Sequence, residues 1–348
     1  MIIKEKKALK FCYLFLKKIG LDNSKSKIIS SHLVKSDMSG HFSHGINRLI
    51  QYYNAVKKGV IKIKSTPKLI SSKNNFIRID GNFSFGQLSM NYVCKLIIKS
   101  KHDITVTSLY NAGHIGRLSD YNEMLAKKNL ISLIFCNGGG PNTSIYPSKS
   151  RITGTNPFAF GMPIKKKKNL IIDFATSKLA EGKVNLASLN NSKLKNFPII
   201  NKKGLYTNNP REFYRGGTLM PFGEIKGSSF LLVNEILGGI LISNNNSINK
   251  NYIDGNNCLI ITIKKNIFSY NKKDFLKQFS ILENKIKKSK KIKNYNLKKT
   301  YLPGDIEKEK FLKSKKNGIN YNKALLKRLN DLATDKLNFN STQLIKSK

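Results

Sequence analysis

The sequence predicts an α/β protein with helical segments at both ends of the chain. Apolar residues recur at helical spacing through residues 1–70, whereas short apolar runs of β-type composition alternate with amphipathic segments over residues 71–270. Strands that alternate with helices are typical of α/β folds. At 348 residues the chain is long enough to bury a large core.

The N-terminal segment, residues 1–70, is predicted to be helical. Apolar spacing predicts helices over 4–19 and 24–37, and the second opens after the capping stretch Asp22-Asn23-Ser24. A third helix is predicted from Arg48 to Lys58, and Gly59 ends it.

The core, residues 71–270, is predicted to hold the sheet. The β-type runs lie at 76–80, 104–109, 130–135, 169–174 and 258–263. The amphipathic segments between them lie at 86–101, 117–128, 177–188 and 226–243. A C-terminal helical segment, residues 271–348, follows, with helices predicted near 272–288, 305–317 and 322–336.

The net charge of +43 invites a nucleic-acid interpretation, which the type of basic residue does not support. Only seven of the 63 basic residues are arginine, and lysine is spread along the whole chain with abundant asparagine and isoleucine, as AT-rich codons would produce. Base readout favours arginine. We therefore expect no specific nucleic-acid partner, and the basic stretch 283–299 is interpreted as a solvated helix end and loop.

Cysteine usage and hydropathy favour a cytoplasmic protein without a membrane partner. The four cysteines, at 12, 94, 136 and 258, form no Cys-x-x-Cys pair, so reduced buried thiols are expected rather than disulfides or a metal site. No run of eighteen apolar residues is present, and the N-terminus lacks the unbroken apolar centre of a secretory signal.

The stretch GHFSHGINR at 40–48 is the first candidate for chemistry, because it holds two of the five histidines. His44 and Arg48 stand four residues apart at a helix start, so they share a face. A histidine exchanges protons near neutral pH, and a guanidinium binds a carboxylate through two hydrogen bonds. The alternative is a histidine capped by Ser43 beside an exposed arginine.

A second histidine favours the functional interpretation of that stretch. His114 lies in the turn NAGHIGR at 111–117, directly after the β-type run at 104–109. Ligands of α/β proteins collect at the carboxyl ends of strands. The Gly-x-Gly-x-x-Gly dinucleotide motif is absent, and NGGGPN at 137–142 is only a weak phosphate-site candidate, since most glycine-rich turns bind nothing.

Seven blocks, in order, make the sequence recognisable. They are GHFSHGINRLIQYYNAVKKGVI at 40–61, RIDGNFSFGQ at 78–87, NAGHIGR at 111–117, GTNPFAFGMP at 154–163, DFATSKLAEGKV at 173–184, EIKGSSFLLVNEILGGIL at 224–241 and LPGD at 302–305. Together they resemble the type-2 malate/L-lactate dehydrogenase family. The HIGR turn, the Glu224-x-Lys226-Gly227 element and the EILGG run are most similar to its hydroxycarboxylate dehydrogenase branch.

The resemblance implies an oxidoreductase that transfers hydride between a nicotinamide cofactor and a small 2-hydroxy or 2-oxo acid, such as malate or lactate. It implies an NAD(P)-binding fold that is not of the Rossmann type, with the terminal helical segments packed together, and a homodimer. NAD is the expected cofactor, and NADP stays open.

The resemblance also assigns roles to residues. His44 matches the proton donor and acceptor, Ser43 its hydrogen-bonded partner, and Arg48 the ligand of the substrate carboxylate. His114 and Lys183 are placed beside them, and a lysine at 183 favours a hydroxy acid because some imine-reducing members carry an acid there. The cofactor contacts implied are His114, Ile115, Gly116, Arg117, Leu118, Asp173, Phe174, Ala175, Thr176, Ser177, Lys226, Asn257, Gly304 and Asp305.

Departures from the family pattern leave substrate range and efficiency open. Ser228-Ser229 stands where an aromatic residue is usual, Asn201 replaces an aspartate within the divergent stretch 185–207, and Asp305 replaces a glutamate. Two alternatives remain: a cyclic imine reductase, which Lys183 disfavours, and a non-catalytic polyanion-binding descendant, which the retention of the histidines and Arg48 disfavours.

Overall fold

A computed structural model describes residues 1–166, 168–268, 271–290, 292–293 and 299–337. The helices are α1 Glu5–Lys18, α2 Asn23–Met38, α3 Arg48–Lys57, α4 Gly86–Lys99, α5 Ser119–Ala126, α6 Glu181–Leu189, α7 Pro210–Tyr214, α8 Glu224–Glu235, α9 Lys272–Lys288, α10 Asp305–Asn317 and α11 Lys323–Leu337. The strands are β1 Ile2–Ile3, β2 Lys68–Lys73, β3 Phe76–Asp80, β4 Ile104–Ala112, β5 Leu130–Gly138, β6 Phe158–Lys165, β7 Lys168–Phe174, β8 Ile199–Ile200, β9 Tyr206–Thr207, β10 Thr218–Leu219, β11 Asn256–Lys264 and β12 Ile319–Asn320.

One seven-stranded mixed sheet organises the centre of the chain, and the predicted α/β class is confirmed. Its strand order is β2-β3-β4-β11-β5-β6-β7, in which only β3 and β4 are parallel. Helices α4 and α5 cover one face, where Val93 and Leu125 pack into a core with Leu109 and Ile134 of the strands. A mixed sheet of this order differs from the doubly wound parallel Rossmann sheet.

The two terminal segments pack against each other. Phe15, Leu33 and Tyr52 of α1–α3 share a buried core with Leu325 and Leu329 of α11. Strand β1 pairs with β12, which ties the first residues of the chain to the C-terminal segment. The division at residues 70 and 270 stays a prediction.

The sequence patterns missed β2 and β6 and misplaced some helix ends. Strand β6 contains Gly161 and Pro163, which break a β-type pattern, and its register with β7 shifts at that proline. The helix predicted over 177–188 begins only at Glu181. That predicted over 226–243 begins at Glu224 and passes into a π-helical turn, Ile236–Ile240.

The structure also bears on the cysteines, on membrane-spanning helices and on the basic stretch. All four cysteines are buried and free. Among the described helices, none is long and apolar enough to cross a bilayer. The basic stretch 283–299 begins within α9, and its residues 291 and 294–298 lie outside the described part, as do residues 338–348 of the C-terminal segment.

One buried carboxyl joins three parts of the helical region. Asp37 of α2 accepts hydrogen bonds from the Ile46 amide, at 2.9 Å, and the Tyr321 hydroxyl, at 2.8 Å. Ile46 lies in the loop between α2 and α3, and Tyr321 precedes α11. Burial raises the pKa of Asp37 to about 8, although both hydrogen bonds act to lower it.

Asp37→Asn should change how stability depends on pH. Because folding raises the pKa of Asp37 from 3.8 to about 8, the unfolded chain releases this proton first, so folding stability falls as pH rises through that window. The loss amounts to about 1.4 kcal/mol for each unit of pKa shift. Denaturation of both proteins at about pH 5 and pH 9 should show the wild type losing stability relative to Asp37→Asn; a constant difference would contradict the assignment.

Candidate active site

The loop between α2 and α3 places Ser43, His44 and Arg48 together. Ser43 is buried, and its hydroxyl lies 3.0 Å from His44 Nδ1. Arg48, the first residue of α3, donates from Nε to the Ser43 carbonyl at 2.6 Å and from Nη1 to Gln51 Oε1 at 2.5 Å. These two bonds hold the guanidinium in place and leave Nη2 for a ligand.

His114 reaches the same place from the sheet. It follows β4, and its ring stacks on the His44 ring with centroids 5.6 Å apart. Its Nδ1 lies 2.9 Å from the Tyr52 hydroxyl. The structure therefore brings together two histidines that are far apart in sequence, one carried by the helical segment and one by the sheet.

Helix α2 holds the HIGR turn as well as the His44 loop. His32 Nε2 accepts the Arg117 amide at 3.0 Å, and His32 Nδ1 lies 3.1 Å from Asp120 Oδ2. Gly116 adopts φ +79°, and a Cβ there would lie 2.1 Å from His32 Nε2. Only glycine allows His32 to approach this turn so closely.

Buried charges surround that contact. Burial lowers the pKa of His32 to about 4, which suits a neutral ring that accepts from Arg117. Burial acts to raise the pKa of Asp120, but Arg117, His32 and Lys35 outweigh it and keep that carboxyl ionised. Lys35 pairs with Asp120 at 2.9 Å and with Glu123 at 2.7 Å. The carboxylates are thus paired within a closed network.

A cavity of about 680 Å³, the smaller cavity, opens at the two histidines. Its polar lining includes His44, Asn47, Arg48, Gln51, Tyr52, Asn54, Lys58, His114, Asn142, Thr155, Glu181, Asn185, Asp254, Asn256 and Arg328. Burial, with Arg48 as the next cause, lowers the pKa of both His44 and His114, so both rings are neutral at neutral pH. A neutral imidazole accepts a proton from a bound hydroxyl.

The EILGG run supports the wall of this cavity from behind. Buried Glu235 accepts hydrogen bonds from the amides of Asn137, at 2.8 Å, and Asn156, at 2.6 Å. These asparagines adjoin Gly138 and Thr155, which line the smaller cavity. Residues 138–142 of the glycine-rich stretch thus line the cavity, and a phosphate-binding role for them stays a prediction.

A larger cavity of about 1640 Å³ lies on the other side of the HIGR turn. Ile115 and Gly116 line the smaller cavity, whereas Arg117 lines the larger one. Four other predicted cofactor residues line it, namely Asp173, Phe174, Gly304 and Asp305. Arg117 Nε is buried there without a hydrogen-bond partner among the described residues.

Several predicted residues lie away from both cavities. Lys183 is exposed on α6, and Glu181 lines the smaller cavity instead. Lys226 is exposed on α8, whereas Leu118 and Asn257 are buried. Asn257 bonds the Asn111 amide and the Asn245 carbonyl. Neither cavity is lined by Ala175, Thr176 or Ser177.

Sequence reasoning missed several cavity residues. Tyr52 lies inside the first recognised block, so its position one turn after Arg48 was the available signal. Arg328 and Asp254 carried none, because they reach the cavity from remote parts of the chain. Among the described residues, no group of three or more His, Cys, Asp or Glu is suited to a metal ion.

The sequence profile of the malate/L-lactate dehydrogenase family matches residues 3–330. The chain belongs to this family. Hydroxycarboxylate dehydrogenase B of Escherichia coli K12 is 29% identical over 236 residues, which cover 66% of this chain and 65% of that protein. Malate/(S)-sulfolactate dehydrogenase of Methanothermus fervidus is 28% identical over 350 residues, covering 98% of this chain and all of that protein.

Solved structures have the same fold as this chain. The sulfolactate dehydrogenase of Methanocaldococcus jannaschii superposes with a TM-score of 0.84 at 28% identity, covering 99% of this chain and 100% of that one. The family resemblance of the sequence blocks is therefore confirmed, together with the fold that it implied.

Gly116→Ala should damage both stability and turnover, and Gly59→Ala is its matched control. Both glycines have similar positive φ angles, +79° and +72°, so alanine at either costs about 1–2 kcal/mol of backbone strain. Only at Gly116 does the methyl group collide with His32, whereas nothing lies within 4 Å at Gly59. Thermal denaturation and steady-state kinetics should show a fall in kcat for Gly116→Ala alone, of roughly 10²-fold. Equal losses in the two variants would refute the role of His32.

Proposed function

We propose that the protein transfers hydride reversibly between a nicotinamide cofactor and C2 of a small 2-hydroxy or 2-oxo acid. The observation that carries this proposal is the meeting of His44, His114 and the Arg48 guanidinium in one cavity, with a larger cavity beyond the HIGR turn. Membership of the dehydrogenase family supports it.

In this proposal the larger cavity holds the cofactor, and the HIGR turn, whose residues line both cavities, is where cofactor and substrate meet. When bound, the nicotinamide ring supplies or accepts the hydride. Arg117 Nε, buried without a partner, suits a phosphate oxygen, and the Asp305 carboxylate suits a ribose hydroxyl. We propose NAD from the family resemblance. Lys290 and Lys308 also line this cavity and would suit an additional phosphate, so NADP stays open.

Arg48 binds the substrate carboxylate in this proposal. Its Nε and Nη1 are engaged by Ser43 and Gln51, so the guanidinium is oriented before substrate arrives. A fixed carboxylate sets the position of C2, and such orientation lowers the barrier without any chemistry by the arginine itself.

His44 carries the proton. Its lowered pKa keeps the ring neutral, so in oxidation it accepts the hydroxyl proton as hydride leaves C2. In reduction the protonated ring returns that proton to the oxygen formed from the carbonyl. Ser43, at 3.0 Å from Nδ1, orients the ring.

The imine-reductase alternative needs a test of its own, because the position of Lys183 does not argue against it. Lys183 is exposed and lies outside the smaller cavity, whereas Glu181 places an acid in it. Glu181 accepts a hydrogen bond from the Tyr214 hydroxyl at 3.0 Å. Some imine-reducing members carry an acid at the position of Lys183, and Glu181 puts an acid into the lining of the smaller cavity from two residues earlier.

A panel of 2-oxo acids and cyclic imino acids, each assayed with NADH and NADPH, tests the reaction class. We expect turnover of a 2-oxo acid and a higher kcat/KM for it than for any imine. Turnover of imines alone would establish the alternative, and binding of polyanions without turnover of either class would favour the non-catalytic descendant.

His44→Asn should lower kcat by roughly 10²- to 10⁴-fold and leave the cofactor Kd unchanged, because it removes a proton carrier and keeps a similar side-chain size. His102→Asn, an exposed histidine away from both cavities, is the control. Activity near wild type in His44→Asn would exclude the assigned role; if His114→Asn alone showed the loss, the two histidines would exchange roles.

We further propose a cytoplasmic homodimer. Apolar residues on α8 and the following π turn are exposed in the isolated chain: Ile225, Leu232, Val233, Ile236 and Ile240. An apolar face of this kind marks a protein interface, and a second copy of the chain is the partner that the family resemblance implies.

Ile236→Lys should disrupt that dimer, because it buries an unpaired charge between the two copies. Leu312→Lys, which charges an exposed leucine on α10, is the control. Light scattering should give the wild type and the control twice the chain mass of 39.3 kDa, and Ile236→Lys the single mass. A monomeric wild type would exclude the dimer.

A further inference from the structure

Two buried side chains, Tyr52 in the lining of the smaller cavity and Gln87 outside that lining, have no part in the function proposed so far. Gln87, in the first turn of α4, donates from Nε2 to the Tyr52 hydroxyl at 2.5 Å. The same hydroxyl lies 2.9 Å from His114 Nδ1. Gln87 is 1% exposed and Tyr52 is fully buried, so water does not compete for these bonds.

The orientation of the Gln87 amide decides which way the hydrogens point: Nε2 faces Tyr52, and Oε1 is buried without a hydrogen-bond partner among the described residues. An amide nitrogen only donates, so the Tyr52 oxygen accepts from Gln87. Its own hydrogen is then available for His114 Nδ1, which must be unprotonated to accept it. A neutral imidazole carries one proton, and that proton is therefore on Nε2.

The backbone fixes this chain of groups. A Cβ at Gly86 would lie 2.1 Å from the Gly113 carbonyl oxygen, so the start of α4 packs directly on the His114 turn. The Tyr52 ring also packs edge-on against Phe85 with centroids 5.5 Å apart. Gln87 and Tyr52 thus have one position relative to His114.

We propose that Gln87 and Tyr52 are positioning residues that hold neutral His114 as its Nε2–H tautomer. No described residue hydrogen-bonds to His114 Nε2, and His114 lines the smaller cavity, so this N–H is the group offered to a ligand. Resting on the proposed function, the inference makes His114 a hydrogen-bond donor to the C2 oxygen of the oxo acid, while His44 carries the proton. Both histidines would then act on the same oxygen in different roles.

The direct test is ¹⁵N NMR of protein labelled at histidine, with the His114 signals assigned by their loss in His114→Asn. We expect an unprotonated Nδ1 and a protonated Nε2 in the wild type. A protonated Nδ1 would overturn the proposal, whether or not the enzyme turns over any oxo acid. Absence of turnover would instead count against the proposed function.

Two substitutions at Gln87 separate positioning from packing. Gln87→Glu keeps the shape, but its ionised carboxylate accepts the Tyr52 hydrogen, so the hydroxyl oxygen must accept from His114 Nδ1–H. Gln87→Met removes both of the amide's polar groups and leaves the Tyr52 hydrogen free to stay on His114 Nδ1. A packing role predicts that Gln87→Met loses at least as much activity; the proposal predicts the opposite order.

The readout is kcat for oxo-acid reduction across a pH series, together with the NMR tautomer. The groups that titrate or carry charge around His114 are His44, Arg48, Tyr52 and His32. These groups are common to both variants, but the carboxylate of Gln87→Glu also favours a charged His114 ring. The ¹⁵N spectrum separates the two effects, because a change of tautomer leaves one ring nitrogen protonated and charging the ring protonates both. With rising pH, kcat of Gln87→Glu should fall about tenfold below that of Gln87→Met, the value of one hydrogen bond, and Nδ1 should become protonated. If kcat of Gln87→Glu stays at or above that of Gln87→Met at every pH, the proposal is wrong. If Gln87→Glu does not fold, the wild-type spectrum still decides.

Discussion

Two side chains of helix α2 accept hydrogen bonds from backbone amides, and these two bonds determine where the histidines meet. Asp37 accepts the Ile46 amide in the loop that carries His44, and His32 accepts the Arg117 amide in the turn that carries His114. Because both acceptors belong to one helix, the spacing between the loop and the turn follows the geometry of α2. The stacking of the two rings at 5.6 Å depends on that helix.

The same residues show why buried polar groups are retained here. Asp37 and His32 are costly to bury, and the raised pKa of one and the lowered pKa of the other measure that cost. Apolar side chains could also fill these positions, but they could not accept a hydrogen bond from a backbone amide. Arg117, Asp120 and Lys35 offset part of the cost around His32 by pairing with one another.

Electrostatics separates a strongly basic chain from two site histidines that stay neutral. The chain carries a net charge of +43, yet burial and Arg48 keep His44 and His114 neutral. Within the smaller cavity Arg48 is oriented by a carbonyl and an amide rather than by a carboxylate, so its charge remains available to an anionic substrate. Dispersed lysines favour the approach of anions, and in the proposed function Arg48 determines where one binds.

The sequence by itself determined the family, the α/β class and most helix positions, because periodicity and ordered motifs are local properties. It also indicated His44, Arg48 and His114, since each lies within a recognisable block. It could not place Glu181 rather than Lys183 in the cavity, because two residues along a helix turn a side chain to the opposite face. Nor could it supply Gln87, Asp37 or Arg328. Their roles depend on contacts between segments far apart in the chain, and only the packing of α2, α4 and α11 around the two histidines decided those contacts.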